Sequence, residues 1–289
     1  MIKGSIVALI TPFKDNSLNE GVYEELIHYH LKNGTNGIVP GGTTGESPTL
    51  SHDEHKKIIE ISVKECKGKI PVIAGTGSNS TSEAVELSKF AEKAGSDALL
   101  VVTPYYNKPT QEGLYEHYKK INDNVGIPII IYNIPSRSVI DMTVETMSKL
   151  YELKNIIGVK DATGDISRVD QQLKAMGKDF IQLTGNDDNA LEFNKRGGSG
   201  AIGVTANIAA KLASDFQKAC NQNMSKAIEL DRLLQPLHSS LFIESNPSPV
   251  KYAASLLGMC SPDVRLPLVQ IKEETKKKVS DALKSAKLL

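Results

Sequence analysis

The run Ile156-Ile157-Gly158-Val159-Lys160-Asp161-Ala162 is short and rich in β-branched residues. Such a run forms a strand buried on both faces. Side chains alternate along a strand, so Ile157, Val159 and Asp161 are expected on one face and Ile156, Gly158, Lys160 and Ala162 on the other. The second face gives Lys160 two very small neighbours, which leaves room beside the amine. Two readings of Lys160 follow. In one it is a strand-end lysine that reaches water or pairs with Asp161, because lysine is almost never fully buried unless paired. In the other, burial disfavours the ammonium form, and the neutral amine can attack a carbonyl and form a Schiff base. The rest of the chain decides between them.

This strand belongs to a series. Runs at 4–11, 37–42, 71–77, 98–104, 128–135, 156–163, 180–185 and 200–206 read as strands. Between and after them, helical spacing covers 20–32, 51–68, 80–95, 111–124, 143–153, 165–176, 187–196 and 208–221. Ser51 with Glu54, and Ser80 with Glu83, have the spacing of capping boxes. Strand and helix alternating every ~20–35 residues argue for parallel strands with right-handed crossovers. Eight units in about 220 residues match an α/β fold, a closed (β/α)8 TIM barrel. A doubly wound open sheet would normally carry a nucleotide fingerprint after its first strand. None is there, and Gly75-Thr76-Gly77-Ser78-Asn79-Ser80 lacks the third glycine. The barrel is expected over 1–223. From 224 to 289 only helices are expected, at 224–243, 248–258 and 269–288. Their apolar stripes need a partner surface, so this region reads as a C-terminal helical appendage packed on the barrel.

Composition narrows the function. The 34 basic and 34 acidic residues cancel, which gives no electrostatic case for nucleic acid or an anionic membrane. Cys66, Cys220 and Cys260 lie far apart without metal or redox spacing. No apolar stretch approaches a membrane span, and the apolar run 6–10 is too short for a signal-peptide core and meets Pro12 at once. A cytoplasmic protein is expected. His52 and His55 are three apart, but no further ligands are spaced to help them; neither a metal nor another cofactor is expected.

Strand C-termini converge on one face of a barrel, where residues read as catalytic. That placement gathers Lys160, Tyr132, Thr43, Thr44, Tyr106, Gly185 and Ile202 at one mouth. Backbone N–H groups of Gly42-Thr43-Thr44-Gly45-Glu46 can bind a carboxylate. A tyrosine near the amine can shuttle protons, a threonine hydroxyl can link it to a second tyrosine, and Arg137 can grip a carboxylate in a bidentate fork. Each has a plainer alternative. The tyrosines can be rim aromatics, Thr43 and Thr44 can simply shape a turn, Arg137 can be a surface ion-pair partner, and Glu46 can be a carboxylate approaching a helix.

Four motifs in order decide the matter: Gly42-Thr43-Thr44-Gly45-Glu46-Ser47, Tyr105-Tyr106-Asn107-Lys108-Pro109, Tyr132-Asn133-Ile134-Pro135-Ser136-Arg137 and Gly158-Val159-Lys160-Asp161-Ala162-Thr163-Gly164. With Asn246-Pro247-Ser248-Pro249-Val250-Lys251, they make the chain resemble the dihydrodipicolinate synthase family of pyruvate-dependent class I aldolases from Gly4 to Leu289. The resemblance implies condensation of pyruvate with L-aspartate 4-semialdehyde, on the way to diaminopimelate and lysine. Lys160 would carry the pyruvate Schiff base. Tyr132, Thr43 and Tyr106 would form the proton relay, with Tyr106 donated across a dimer interface. Thr44 would help to bind the substrate carboxylate, Arg137 would hold that of the semialdehyde, and Gly185 and Ile202 would line the pocket. A homotetramer, built as a dimer of dimers, is the common assembly.

The resemblance also implies an L-lysine effector at Ser47, His52, His55, Asn79, Glu83 and Tyr105, which gives Glu83 a second explanation beside helix capping. Pro48 stands where a small alanine is common in the family. The nearest rivals are N-acetylneuraminate lyase and the keto-deoxy sugar acid aldolases, which share barrel, turn, tyrosine and lysine. Arg137 suits a short aldehyde bearing a carboxylate and is not typical of them. A non-catalytic barrel binding pyruvate or lysine is a rival of another class, which loss of Lys160, Tyr132 or Tyr106 would favour.

Overall fold

The computed structural model describes residues 2–289. Its central strands are β1 Gly4–Ala8, β2 Gly37–Val39, β3 Ile73–Gly75, β4 Ala98–Val102, β5 Ile129–Asn133, β6 Ile156–Asp161, β7 Ile181–Thr184 and β8 Gly200–Gly203. All pair in parallel, in the order β2-β1-β8-β7-β6-β5-β4-β3. A parallel bridge between Ile38 and Val72 joins β2 to β3 and closes the ring. The expected TIM barrel is therefore the observed one. The strands stop short of their expected C-termini because those residues turn into the mouth: 135–138 forms a single helical turn and 205–207 a 3-10 turn. A small hairpin, Phe13–Lys14 against Ser17–Leu18, follows β1 where sequence reasoning expected no structure.

The outer ring is α1 Glu20–Lys32, α2 His52–Cys66, α3 Thr81–Ala94, α4 Gln111–Asn122, α5 Val144–Tyr151, α6 Ser167–Met176, α7 Ala190–Lys195 and α8 Ala210–Gln222. Ser51 and Glu54 form the expected reciprocal capping box at α2. The second expected box is absent. Ser80 makes no cap bond at α3, and its hydroxyl pairs with Ser82 at 3.0 Å. Glu83 turns instead to Ser78 and His52.

Three apolar layers hold the molecule. Ile6, Val39, Ile73, Leu100, Ile130 and Leu183 fill the barrel interior. Two further layers pack the barrel wall against its helices. One of them runs on into α9 Met224–Ser240, α10 Ser248–Leu256 and α11 Glu273–Ser285, through Leu234, Leu237, Val250, Val279 and Leu283. At the start of β6 the expected alternation fails. Ile129 pairs with Ile156 but Ile130 with Gly158, so Ile157 is an extra residue in a bulge. Ile156 and Val159 consequently share the outer layer, while Ile157 packs against the interior. Beyond the bulge, Lys160 and Ala162 face inward as expected, and Asp161 bonds to α6 outside. Among the described residues, no helix is long and apolar enough to cross a membrane.

Candidate active site

A cavity of about 380 Å³ opens at the C-terminal mouth of the barrel. Thr43 and Thr44 line it from beyond β2, Tyr132 and Arg137 from β5 and its loop, Lys160 and Ala162 from β6, and Gly185 from beyond β7. Tyr132 and Lys160 are direct partners across β5 and β6, which fixes their spacing through the sheet ladder. Lys160 is 5% exposed, and its Nζ lies 4.2 Å from the centre of the Tyr132 ring. Asp161 is no partner for it. Its carboxylate accepts from Arg168 Nε at 3.0 Å, Gln172 Nε2 at 2.9 Å and the Thr163 hydroxyl at 2.6 Å. Alternation thus hands the charge next to the lysine to the outer layer and leaves the amine alone inside.

The room beside the amine comes from a different residue than expected. A Cβ on Gly158 would meet the Ile181 carbonyl oxygen at 2.2 Å, so that glycine admits the neighbouring strand and not the lysine. A Cβ on Gly185 would lie 2.9 Å from Lys160 Cε and 2.7 Å from Ala162 Cβ. Gly185 therefore keeps open the path that the lysine side chain occupies.

The turn 42–46 is held from below and from the side. The Gly45 N–H donates to the Gly42 carbonyl at 3.0 Å, and the Thr11 hydroxyl donates to the Gly45 carbonyl at 2.7 Å. Glu46 adopts a left-handed φ of 56°, a costly conformation for a residue with a Cβ. What holds it there is an ion pair with Lys251 of α10 at 2.7 Å, with neither side chain exposed. The Arg265 N–H donates to the other carboxylate oxygen at 3.0 Å. Burial pushes the Lys251 amine below its ordinary range, against the pull of Glu46. The Phe13 ring lies 4.2 Å from Lys251 Nζ and 4.1 Å from the Arg265 guanidinium carbon. Arg265 also forks onto Glu54 at 2.7 and 2.6 Å and holds that carboxyl down to about 2. Glu46 is thus a buried anchor of the turn and does not serve as a carboxylate approaching a helix.

Thr44 is 2% exposed, and its Oγ1 accepts from Asn246 Nδ2 at 3.0 Å. Arg137 is exposed at the rim, and its Nη2 reaches the Asn246 carbonyl at 3.4 Å. Two expected members lie elsewhere. Ile202 is fully buried in the barrel interior and does not line the cavity, because Gly203 and Val204 follow it before the mouth is reached. Tyr106 does not line it either; it stands 87% exposed with a left-handed φ of 74°. Of the remaining expected set, Glu83 accepts from His52 at 2.9 Å and from the Ser78 hydroxyl, which draw its carboxyl below the ordinary range against the opposing effect of burial. Asn79 offers its carbonyl to Asn107 at 2.8 Å, and Tyr105 is exposed beside it. Ser47 opens a 3-10 turn, Ser47–Thr49, whose second residue is Pro48. His55 is turned inward, donating Nε2–H to the Gly75 carbonyl at 2.7 Å, and burial lowers its pKa.

Sequence reasoning missed Asn246, Asp187 and His238 in the lining, and Lys251 and Arg265 behind it. Asp187 caps the 205–207 turn, accepting from the Val204 and Thr205 N–H groups at 2.7 and 3.0 Å. The signal for Lys251 was present: a lone charge inside Pro249-Val250-Lys251-Tyr252-Ala253-Ala254 demands a buried carboxylate. Among the described residues, no group of three His, Cys, Asp or Glu side chains is placed to hold a metal.

The whole chain has close relatives with this architecture. A model of the Dihydrodipicolinate synthetase family matches residues 1–286. The 4-hydroxy-tetrahydrodipicolinate synthase of Pelagibacter ubique (strain HTCC1062) is 69% identical, over 100% of both chains. The solved dihydrodipicolinate synthase of Acinetobacter baumannii, a chloride-inhibited enzyme complexed with pyruvate, is 44% identical over 100% of both chains, with a TM-score of 0.98. That of Cyanidioschyzon merolae with lysine bound is 35% identical over 99% of both, with a TM-score of 0.96. A closed barrel with a buried lysine in its mouth, matched end to end in sequence and in shape, places this chain in the dihydrodipicolinate synthetase family.

Proposed function

We infer that this chain is a Schiff-base-forming lyase that condenses pyruvate with L-aspartate 4-semialdehyde, the 4-hydroxy-tetrahydrodipicolinate synthase reaction of diaminopimelate and lysine biosynthesis. The observation that carries this reading is Lys160: an amine 5% exposed, over the Tyr132 ring, in a cavity whose nearest carboxylate in sequence is bonded to Arg168 outside the barrel. Its Nζ attacks C2 of pyruvate, the carbinolamine loses water, and an imine forms. Loss of a proton from C3 then gives an enamine, which attacks the aldehyde carbon of the second substrate. The aldehyde oxygen takes a proton, and the semialdehyde's own amine adds to the imine carbon, closing the ring and expelling the Lys160 amine. Tyr132 stands beside the amine and is the proton carrier for these steps; Thr43 joins it to Tyr106. Tyr106 belongs to this relay only if a second copy supplies it, and its exposure on a left-handed backbone fits that role. Such an exchange makes a dimer; the family resemblance adds its pairing into a homotetramer, and the protein works in the cytoplasm.

Thr44 binds the pyruvate carboxylate and Arg137 that of the semialdehyde. L-Lysine is an effector at Ser47, His52, Asn79, Glu83 and Tyr105, where an ammonium group would compete with His52 for Glu83. His55 supports that site from behind through Gly75. The test is kinetic. Lys160→Ala abolishes imine formation. Arg137→Ala raises the semialdehyde KM by about tenfold to a hundredfold, the worth of a charged hydrogen bond, and leaves pyruvate binding nearly intact. Full catalytic efficiency of Arg137→Ala with the semialdehyde would overturn the assignment of the second substrate.

A further inference from the structure

Asn246 is one of four C-terminal residues that line the cavity, with His238, Ser239 and Phe242. It is 5% exposed, lies just ahead of α10, and lines the cavity beside Thr44 and Arg137. Its Nδ2 donates to Thr44 Oγ1 at 3.0 Å, its backbone carbonyl accepts from Arg137 Nη2 at 3.4 Å, and its Oδ1 is buried without a partner. An amide N–H that donates into a hydroxyl oxygen occupies one of that oxygen's lone pairs and leaves the hydroxyl hydrogen to be donated elsewhere. Thr44 is itself buried, and the cavity is the open direction.

We propose that Asn246 is a positioning residue: it sets the Thr44 hydroxyl as a donor aimed at the carboxylate of the 2-oxo acid, and its backbone carbonyl steadies Arg137 beside it. This rests on the functional reading above. The arrangement is rigid because both ends of the segment 246–251 are tied to the turn 42–46. Asn246 holds Thr44, and Lys251 holds Glu46 at 2.7 Å with neither side chain exposed. The C-terminal region, which also lines the cavity through His238, Ser239 and Phe242, thereby sets the direction of a hydrogen bond inside the site. A carboxylic acid in place of the amide has the same shape but only accepts at neutral pH. It would take the Thr44 hydroxyl hydrogen for itself and place a negative charge near the substrate's own.

The test is a double-mutant cycle between Asn246→Ala and Thr44→Val in the full-length protein. The readout is the pyruvate concentration at which borohydride trapping of the imine reaches half its maximum, which needs no second substrate. Asn246→Ala is expected to raise that concentration by about tenfold to a hundredfold, the range of a hydrogen bond to a charged group, with little change in the amount of adduct at saturation. Asn246→Asp, which keeps the shape and guards against a variant that merely fails to fold, is expected to raise it further. In the Thr44→Val background, Asn246→Ala is expected to add no more than about twofold. Independent, multiplying effects of the two changes, or an Asn246→Asp protein with unaltered pyruvate dependence, would overturn the proposal. Wild-type protein that traps no pyruvate at all would instead overturn the functional reading on which it rests.

Discussion

Lys160 owes its freedom to its neighbours' choices of face and size. Asp161 points outward to Arg168, and Gly185 from the next strand leaves the space that the lysine stem crosses. A methyl group at Gly185 would stand 2.9 Å from Lys160 Cε, inside normal contact. Gly185→Ala should therefore slow trapping of pyruvate on Lys160 by about a hundredfold or more, while overpacking at the cavity edge costs about 1–3 kcal/mol of stability. A normal trapping rate in a folded Gly185→Ala protein would contradict this account of the glycine. Strand geometry alone left Lys160 open between an amine that reaches water and a desolvated one; the four ordered motifs that make the chain resemble its family decided between them. The reason for its freedom was not legible in sequence. Gly158 and Gly185 look alike in sequence, and only the packing of β7 against β6 shows that the first admits the Ile181 carbonyl and the second the lysine.

At the scale of elements, the turn 42–46 and the helix α10 act as one piece. The link is the Glu46–Lys251 pair, which has no exposure on either side. Removing one partner leaves the other charged and buried, at a cost of about 3–5 kcal/mol, whereas replacing both by apolar groups of similar volume is often neutral or better. Lys251→Met should thus lower stability severely. The double variant Glu46→Leu with Lys251→Met should recover most of the loss in thermal unfolding, while trapping of pyruvate stays impaired because the turn loses its anchor. Recovery of neither stability nor trapping, or of both in full, would speak against an anchoring role. The two capping boxes show where element-level reading succeeds and fails. Ser51 and Glu54 find each other because nothing else competes for them beyond Arg265, which Glu54 accommodates as well. Glu83 has the same spacing from Ser80 but bonds instead to Ser78, in the loop just ahead of α3, and to His52 at the start of α2. The hairpin after β1 escaped notice because its strands are two residues each, too short for any periodicity.

At the scale of the whole molecule, the alternation of strands and helices was enough to foresee the barrel, since parallel strands with right-handed crossovers leave few ways to close. It could not show that the C-terminal helices reach the mouth, because the pairs Asn246–Thr44 and Lys251–Glu46 span about two hundred positions of sequence and carry no local signature. The fold also buries histidines in neutral form. Burial holds His30 to about 3 and His117 to about 4, against an ordinary value of 6.5. Between pH 6.5 and those values the unfolded chain binds protons that the folded one refuses, so stability is full above that window and falls as the pH drops through it. Unfolding midpoints should decline from pH 7 to pH 4, and less steeply in a His30→Gln protein; parallel profiles for the two would contradict the assignment. The cavity, the space left by Gly185 and the outward turn of Asp161 converge on one amine. Incubating the purified protein with pyruvate and borohydride, then mapping the adduct by peptide mass spectrometry, tests that convergence most directly. A single reduced imine on Lys160 is the expected result. A folded protein with no adduct, or with its adduct on another lysine, would make Lys160 a structural residue and remove the basis of the proposed reaction.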